Sequence, residues 1–343
     1  MREPHRYIPK GLLLQWHITE RCNLRCKHCY HKGYDGADLP FTTLLGFLDQ
    51  YKSLLREWRK TKKVWGHINV TGGEPFMRGD FMELLDVFSD NRDTFSYAIL
   101  TNGTFIDREA AKHLRTLKPK YVQISIEGGK KAHDSVRGQG NYDLSVAALK
   151  NLAAEKVPTC VSFTAHKDNF REFAHVAETA RMAGVSRVWA DRLIPYGEGK
   201  KLGLMDPSET CEFFNLMGRA RSRRRIFNKT EVSMHRSLQF LVGGGKPYRC
   251  NAGDGLLTLQ SNGDVYPCRR MPIKVGNLLE ERLSDIYYKN DLLCELRDRD
   301  SIDPECKKCF YSKLCGGGLR CLSYALTGNP FQKDPGCFHK VDI

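Results

Sequence analysis

Three cysteines stand close together near the start of the chain, in Cys22-Asn-Leu-Arg-Cys26-Lys-His-Cys29. Three thiolates on so short a loop can wrap one face of a cubane iron–sulfur cluster and leave one iron without a protein ligand. The same thiolates could hold a structural zinc, with His28 or His31 as the fourth ligand. A second feature is Thr71-Gly72-Gly73-Glu74-Pro75. Its glycines let backbone approach a ligand closely, and Glu74 offers an acceptor for a cationic amine. A further set of thiols fills the tail: Cys250, Cys268, Cys306, Cys309, Cys315, Cys321 and Cys337. Clustered spacing of this kind points to metal rather than to disulfides. Cys160, Cys211 and Cys294 sit in apolar or helical patterns and read as core thiols.

The elements that must position these groups alternate. Strand patterns recur at Leu12–Ile18, His67–Thr71, Phe95–Thr101, Tyr121–Ile126, Pro158–Ala165 and Arg187–Leu193. Helical patterns lie between them, at Phe41–Trp58, Asp80–Phe88, Asp107–Leu117, Asp143–Ala154 and Asn169–Ala183. Asp107, Asp143 and Asp168 are placed as caps, just ahead of apolar periodicity. Six strand–helix units predict a parallel sheet covered by helices, too few for a closed eight-fold barrel. The expected fold is therefore α/β, an open partial (β/α)6 barrel followed by a small cysteine-rich, metal-folded domain. The expected divisions are an N-terminal tail at 1–10, the barrel at 11–195, a helical bridge at 196–245 and the cysteine-rich domain at 246–343. In such sheets ligands collect beyond the carboxyl ends of the strands. Cys22, Gly72, Asn102, Glu127 and Arg192 all follow or end predicted strands.

Composition narrows the class. The 343 residues contain no apolar run long enough to span a membrane, and Met1–Lys10 is too polar and short for a signal peptide. The chain reads as cytoplasmic. Its formal charge of +14 falls by roughly three to five units if thiolate-held clusters are present, and stays basic. An acidic partner fits that balance. The densest basic run, Arg219, Arg221, Arg223, Arg224 and Arg225, follows an apolar helical stretch and reads as a solvated helix end. No aromatic–basic interleaving of the kind single-strand binders use is present, which argues against nucleic acid.

The paired motifs, Cys22-x3-Cys26-x-His28-Cys29 and Gly72-Gly73-Glu74-Pro75, resemble the radical S-adenosylmethionine (SAM) superfamily. The resemblance implies a [4Fe–4S] cluster on the cysteine loop, with an open iron site chelated by SAM. It implies that His28 lies against the adenine and that Gly72, Gly73, Glu74 and Pro75 receive the SAM amino group. Ser125 and Glu127 match a strand near the ribose and carboxylate, and Arg137 a carboxylate contact. Ser162, Arg192 and Leu193 match positions near ribose and adenine. Reductive cleavage of SAM would yield methionine and a 5′-deoxyadenosyl radical that abstracts a substrate hydrogen. The cofactor carries that step, so no catalytic acid or base is named.

The tail is similar to the SPASM extension, which houses one or two auxiliary iron–sulfur clusters. By that resemblance Cys306, Cys309, Cys315 and Cys337 form one complete site. The other has Cys250 and Cys268, with Cys321 as a displaced ligand, because Leu319 stands where a cysteine is expected. An open iron, a smaller cluster or no cluster are the outcomes, and a structural zinc stays an alternative. The SPASM likeness implies a peptide-modifying maturase, altering a ribosomal peptide by cross-linking, epimerisation or another side-chain change. Only about ten residues precede the first strand, so a peptide would be recognised by the tail, the basic surface or a separate leader-binding protein. Arg269, where sulfatase-maturing relatives carry an aspartate, argues against formylglycine formation. The alternative substrate is an anionic small molecule such as a tetrapyrrole. An electron donor such as flavodoxin or ferredoxin is implied in either case. A non-enzymatic metal-binding or electron-carrier protein is the remaining reading, and it predicts no 5′-deoxyadenosine from SAM.

Overall fold

The structure, a computed structural model, describes residues 7–31, 33–222, 230–244 and 247–340. Six parallel strands form its middle: β1 (Gly11–His17), β2 (Trp65–Thr71), β3 (Ser96–Thr101), β4 (Tyr121–Ser125), β5 (Thr159–Ala165) and β6 (Arg187–Arg192). They lie side by side in chain order, and these are the six segments expected from the sequence. The helices between them are α1 (Phe41–Arg59), α2 (Phe81–Asp90), α3 (Arg108–Leu117), α4 (Lys130–Arg137), α5 (Asn141–Ala154) and α6 (Phe173–Met182). After β6 comes α7 (Pro207–Ser222). The sheet runs from edge to edge without closing.

Side chains alternate across a strand, so each strand serves two environments. Trp16, Val70, Ile99 and Val122 are in register on four adjacent strands and are all buried under the helices. Helix α1 turns Leu44, Phe47, Leu48, Tyr51, Leu54, Leu55 and Trp58 inward at helical spacing. The opposite face of the sheet is polar. Thr71, Gln123, Ser125, Ser162, Thr164 and Asp191 alternate with the core residues and line a hollow.

Three findings depart from the sequence reading. The tail joins the same sheet: β7 (Glu231–Ser233) extends the β6 edge, and β8 (Leu256–Leu259) pairs parallel to β1. Antiparallel β9 (Asp264–Tyr266) and β10 (Gly276–Asn277) continue from β8. Leu257, Leu259, Val265, Ile286 and Tyr287 thereby enter the barrel's own buried core, which short segments could not build alone. Helix α4 was not legible, because Lys-Lys-Ala-His-Asp-Ser-Val-Arg has little apolar periodicity.

The caps also divide. Asp107 accepts a bond from the Ala110 N–H at 2.8 Å, as expected. Asp143 does not cap α5. Asp134 accepts from the Tyr142 and Gly140 N–H groups there, leaving Asp143 to pair with Lys130. Asp168 is exposed and caps nothing; Asn169, at the start of the helical turn, makes no side-chain cap bond either, its Oδ1 accepting from the preceding His166 N–H at 2.8 Å. Of the basic run, Arg219 and Arg221 end α7 as a solvated terminus, while Arg223, Arg224 and Arg225 lie outside the described residues.

Candidate active site

The hollow face of the sheet and the cysteine loop enclose a cavity of about 1150 Å³ including its mouth. Cys22, Cys26 and Cys29 all line it. They are free thiols, with Cys26 buried and the other two half-buried. Burial pushes the Cys22 thiol up to about 11 and raises Cys26 as well. The Leu24 N–H points at Cys22 Sγ at 3.4 Å and Arg137 Nη1 at Cys26 Sγ at 3.8 Å, both favouring the thiolate that iron requires.

The glycine pair works partly by letting two loops meet. A Cβ on Gly73 would stand 2.2 Å from the Arg21 carbonyl oxygen, and one on Gly72 2.4 Å from that of Thr19. The Gly73 N–H donates to Thr19 O and the Glu74 N–H to Arg21 O, each at 2.8 Å. The base of the cysteine loop is thus fastened to the end of β2. Glu74 faces inward, not into the cavity. Its carboxylate accepts from Thr101 Oγ1 at 2.7 Å and from the Asn102 N–H at 2.8 Å. Burial raises its pKa to about 7 despite these donors.

Arg137 and Glu127 form the most elaborate ionic contact in the cavity wall. The guanidinium donates to Glu127 Oε1 through Nη2 at 2.7 Å and Nε at 3.1 Å. Thr164 N–H donates to Glu127 Oε2 at 2.9 Å, and His28 Nε2 lies 3.4 Å from Oε1. Burial alone would raise the Glu127 pKa, but Arg137, His28 and the Thr164 N–H together hold it far below the ordinary carboxylate range.

Most positions expected around a nucleoside are brought together here. His28, Gly72, Gly73, Asn102, Ser125, Arg137, Ser162, Arg192 and Leu193 line the cavity. Ser125 and Ser162 hydroxyls lie 3.2 Å apart on neighbouring strands. Glu74, Pro75 and Glu127 sit behind that lining as supports. Arg192 has a second engagement: its guanidinium is tied to Asp334, at 2.8 and 2.6 Å. Neither candidate zinc histidine turns to the thiols. His28 faces Glu127, and His31 stacks on Tyr30 with ring centroids 4.8 Å apart. Among the described residues, no three His, Cys, Asp or Glu side chains converge as a single metal ion needs.

The tail thiols fall into two groups. Cys250, Cys268 and Cys321 lie within electrostatic reach of one another beside the barrel. Cys306, Cys309, Cys315 and Cys337 surround a separate small cavity. Leu319 is buried, its N–H donating to Asp334 at 2.8 Å. Cys160 is buried on β5, as a core thiol should be, while Cys211 is half-buried and Cys294 exposed. The core reading of those two is corrected: Cys211 is only half-buried on α7, and Cys294 is exposed on a short helix, Asp291–Arg297.

Sequence reasoning missed Trp189, Asp191, Tyr196, Arg270 and Asp334. Trp189 and Asp191 alternate along β6, a signal that could have marked them as cavity-facing. Asp191 pairs with Arg270 at 2.7 Å, joining the barrel wall to the tail.

An α/β hollow walled by three loop thiols, with two further thiol groups behind it, defines an iron–sulfur enzyme built to present a nucleoside sulfonium to an open metal corner. A family profile described as the radical SAM superfamily matches residues 16–180, and one described as an iron–sulfur cluster-binding domain, SPASM, matches residues 250–310. The chain belongs to the radical SAM superfamily, with a SPASM domain at its C-terminal side, and uses a [4Fe–4S] cluster, SAM and auxiliary iron–sulfur clusters. Among curated relatives, an AdoMet-dependent heme synthase of Methanosarcina barkeri is 26% identical, covering 96% of this chain and 96% of its own. Mycofactocin maturase MftC of Mycolicibacterium smegmatis is 28% identical over 97% of this chain and 84% of its own. Among solved structures, SAM-bound SuiB of Streptococcus suis superposes with a TM-score of 0.76 at 17% identity, covering 96% of this chain and 77% of that one. No helix of the described residues is long and apolar enough to cross a membrane.

Proposed function

We propose that this cytoplasmic enzyme modifies a carboxylate-bearing ribosomal peptide. When bound, the cluster and SAM supply a 5′-deoxyadenosyl radical able to abstract a substrate hydrogen. Cys22, Cys26 and Cys29 would hold that cluster. The carbonyls of Gly72 and Gly73 would face the SAM amino group, since Glu74 is already engaged. Arg137, fixed by Glu127, would present Nη1 to the SAM carboxylate, and Ser125, Ser162 and Leu193 would bound the nucleoside. In the tail, Cys306, Cys309, Cys315 and Cys337 would complete one cluster, and Cys250, Cys268 and Cys321 would hold the other.

One observation carries the substrate class. Four arginines line the cavity: Arg137, Arg192, Arg269 and Arg270. Three are neutralised by Glu127, Asp334 and Asp191. Arg269 has no carboxylate partner among the described residues and lies 6.0 Å from the Tyr30 ring centroid. A cation at the wall of a radical cavity is matched by a substrate anion. The peptide reading is supported by the SPASM tail and by the maturase relative. A second reading, an anionic tetrapyrrole, is favoured by the heme synthase relative and is served by the same arginine.

The test is to incubate reconstituted enzyme with SAM, reductant and peptides encoded beside its gene. A SAM-dependent mass change is expected, reduced by Arg269→Gln. Unchanged peptides together with conversion of a free iron tetrapyrrole would replace the first reading by the second.

A further inference from the structure

The two thiol groups of the tail differ in where they sit. In one group Cys268 and Cys321 are buried and only Cys250 is part-exposed, whereas Cys306, Cys309, Cys315 and Cys337 are each part-exposed. These four gather round a small cavity that they share with Tyr311, Lys333 and His339. A redox centre held there would have no fully buried thiol around it. The surface over it has a specific composition. From Cys306 to Cys315 the chain carries Lys307, Lys308 and Lys313, all exposed, and no carboxylate. Within that same stretch Phe310 is 86% exposed and Leu314 is 53% exposed. The nearest preceding acid, Glu305, is already paired with Lys333.

Apolar side chains grouped on a surface and rimmed by polar ones mark an interaction site, and a cationic rim steers an anionic partner. A small apolar centre with a charged rim suits a transient encounter of modest area, the regime of electron-transfer pairs. We propose that this face is the docking surface for a small acidic one-electron carrier protein. The occupant is fixed by charge complementarity and by the four thiols directly beneath. The carrier's reduced flavin or iron–sulfur centre would lose one electron to a centre held by these four thiols. Passed on to the cluster held by Cys22, Cys26 and Cys29, that electron would be consumed in splitting one SAM into methionine and the 5′-deoxyadenosyl radical, with no proton moving at the dock. The inference rests on the reading that these four cysteines hold an iron–sulfur centre.

The experiment uses reconstituted holoenzyme and an acidic flavodoxin as probe. Three variants are compared with the parent: Lys308→Glu with Lys313→Glu, Phe310→Ser, and all three changes together. Flavodoxin affinity is measured by surface titration at low salt and at about 300 mM salt, where exposed charges are largely screened. Formation of 5′-deoxyadenosine is measured with reduced flavodoxin and, separately, with dithionite. The expected result is about tenfold weaker binding in the charge variant, a parent affinity that falls with salt, and a flavodoxin-driven rate that drops accordingly. Dithionite-driven rate and iron content stay at parent values. Parent-like flavodoxin binding by the triple variant would overturn the proposal, as would loss of binding to an acidic peptide or oligonucleotide but not to flavodoxin. Parent protein that lacks tail iron yet binds flavodoxin through the lysines would keep the dock and remove the reading beneath it.

Discussion

Replacing Asp334 by asparagine should loosen the whole tail from the barrel. Its carboxylate is almost fully enclosed, 1% exposed against 3% for Arg192. It accepts both Arg192 bonds, the Leu319 N–H at 2.8 Å, the Gly336 N–H at 2.9 Å and the Ser237 hydroxyl at 3.5 Å. One side chain therefore ties the end of β6 to the segments carrying Cys315, Cys321 and Cys337. Breaking a buried ion pair from one side costs about 3–5 kcal/mol, because the remaining charge stays buried without a partner. Asparagine keeps the volume but leaves Arg192 in that condition, so the full range applies.

The reverse change, Arg192→Met, should cost less. Asp334 would keep two backbone donors and a hydroxyl, and hydrogen bonds to a charged group are worth about 1.5–3 kcal/mol each. A loss of about 2 kcal/mol is expected. The double variant has no unpaired charge and should recover at least about 2 kcal/mol of the summed single costs. Urea unfolding of the four apoproteins measures these differences, and iron analysis of the reconstituted proteins gives an independent reading. Asp334→Asn should lose tail iron while keeping about four irons on the first loop. Equal unfolding midpoints for Asp334→Asn and the parent would refute the reasoning, as would single costs that simply add.

The joint variant Cys22→Ala, Cys26→Ala, Cys29→Ala should lose about four irons, leaving the remainder to count the tail clusters, by iron and sulfide quantification. Glu74→Gln should flatten the pH dependence of apoprotein stability. The parent's folded pKa of about 7 lies above the ordinary 4.5, so its contribution is complete below 4.5 and lost as pH rises through 7. At 1.36 kcal/mol per pKa unit, the change in unfolding free energy between pH 5 and pH 8 is about 2.5 kcal/mol. Glu127→Gln should cost about 3–5 kcal/mol by denaturant unfolding, since Arg137 is then buried without its carboxylate. It should also weaken SAM binding, measured by equilibrium dialysis. Cys211→Ala and Cys294→Ala should leave iron content unchanged, which metal analysis checks.

The barrel was legible because its strands are buried on one face and polar on the other. Leu14, Trp16, Ile68, Val70, Ile99 and Val122 write that period into the sequence, and the cysteine loop and glycine pair fall at the strand ends where such sheets bind ligands. The strands of the tail were not legible, being two to four residues long. A run such as Leu256–Leu259 carries too few alternations to show a period, and its partner, β1, lies more than two hundred residues away. Asp334 gave no signal either. It looks like any turn aspartate, and only the fold brings it to Arg192, 142 residues upstream.

The cavity arginines show why residue type alone could not single out the proposed substrate contact. Arg137, Arg192, Arg269 and Arg270 are equally basic on the page, and all four line one cavity. Their roles separate only once their partners are known. Glu127 turns Arg137 into a fixed wall, Asp334 turns Arg192 into a clamp between barrel and tail, and Asp191 does the same for Arg270. A buried guanidinium whose charge is already met has little attraction left for an incoming anion, whereas one facing only an aromatic ring keeps most of it. Arg269 follows Cys268 directly, so the cation proposed to meet the substrate is carried by the segment that would hold an auxiliary cluster. On the proposed reading, recognition of substrate charge and tail assembly would be coupled. A change that dislodges the Cys268 segment should weaken recognition of a carboxylate even where SAM binding is untouched.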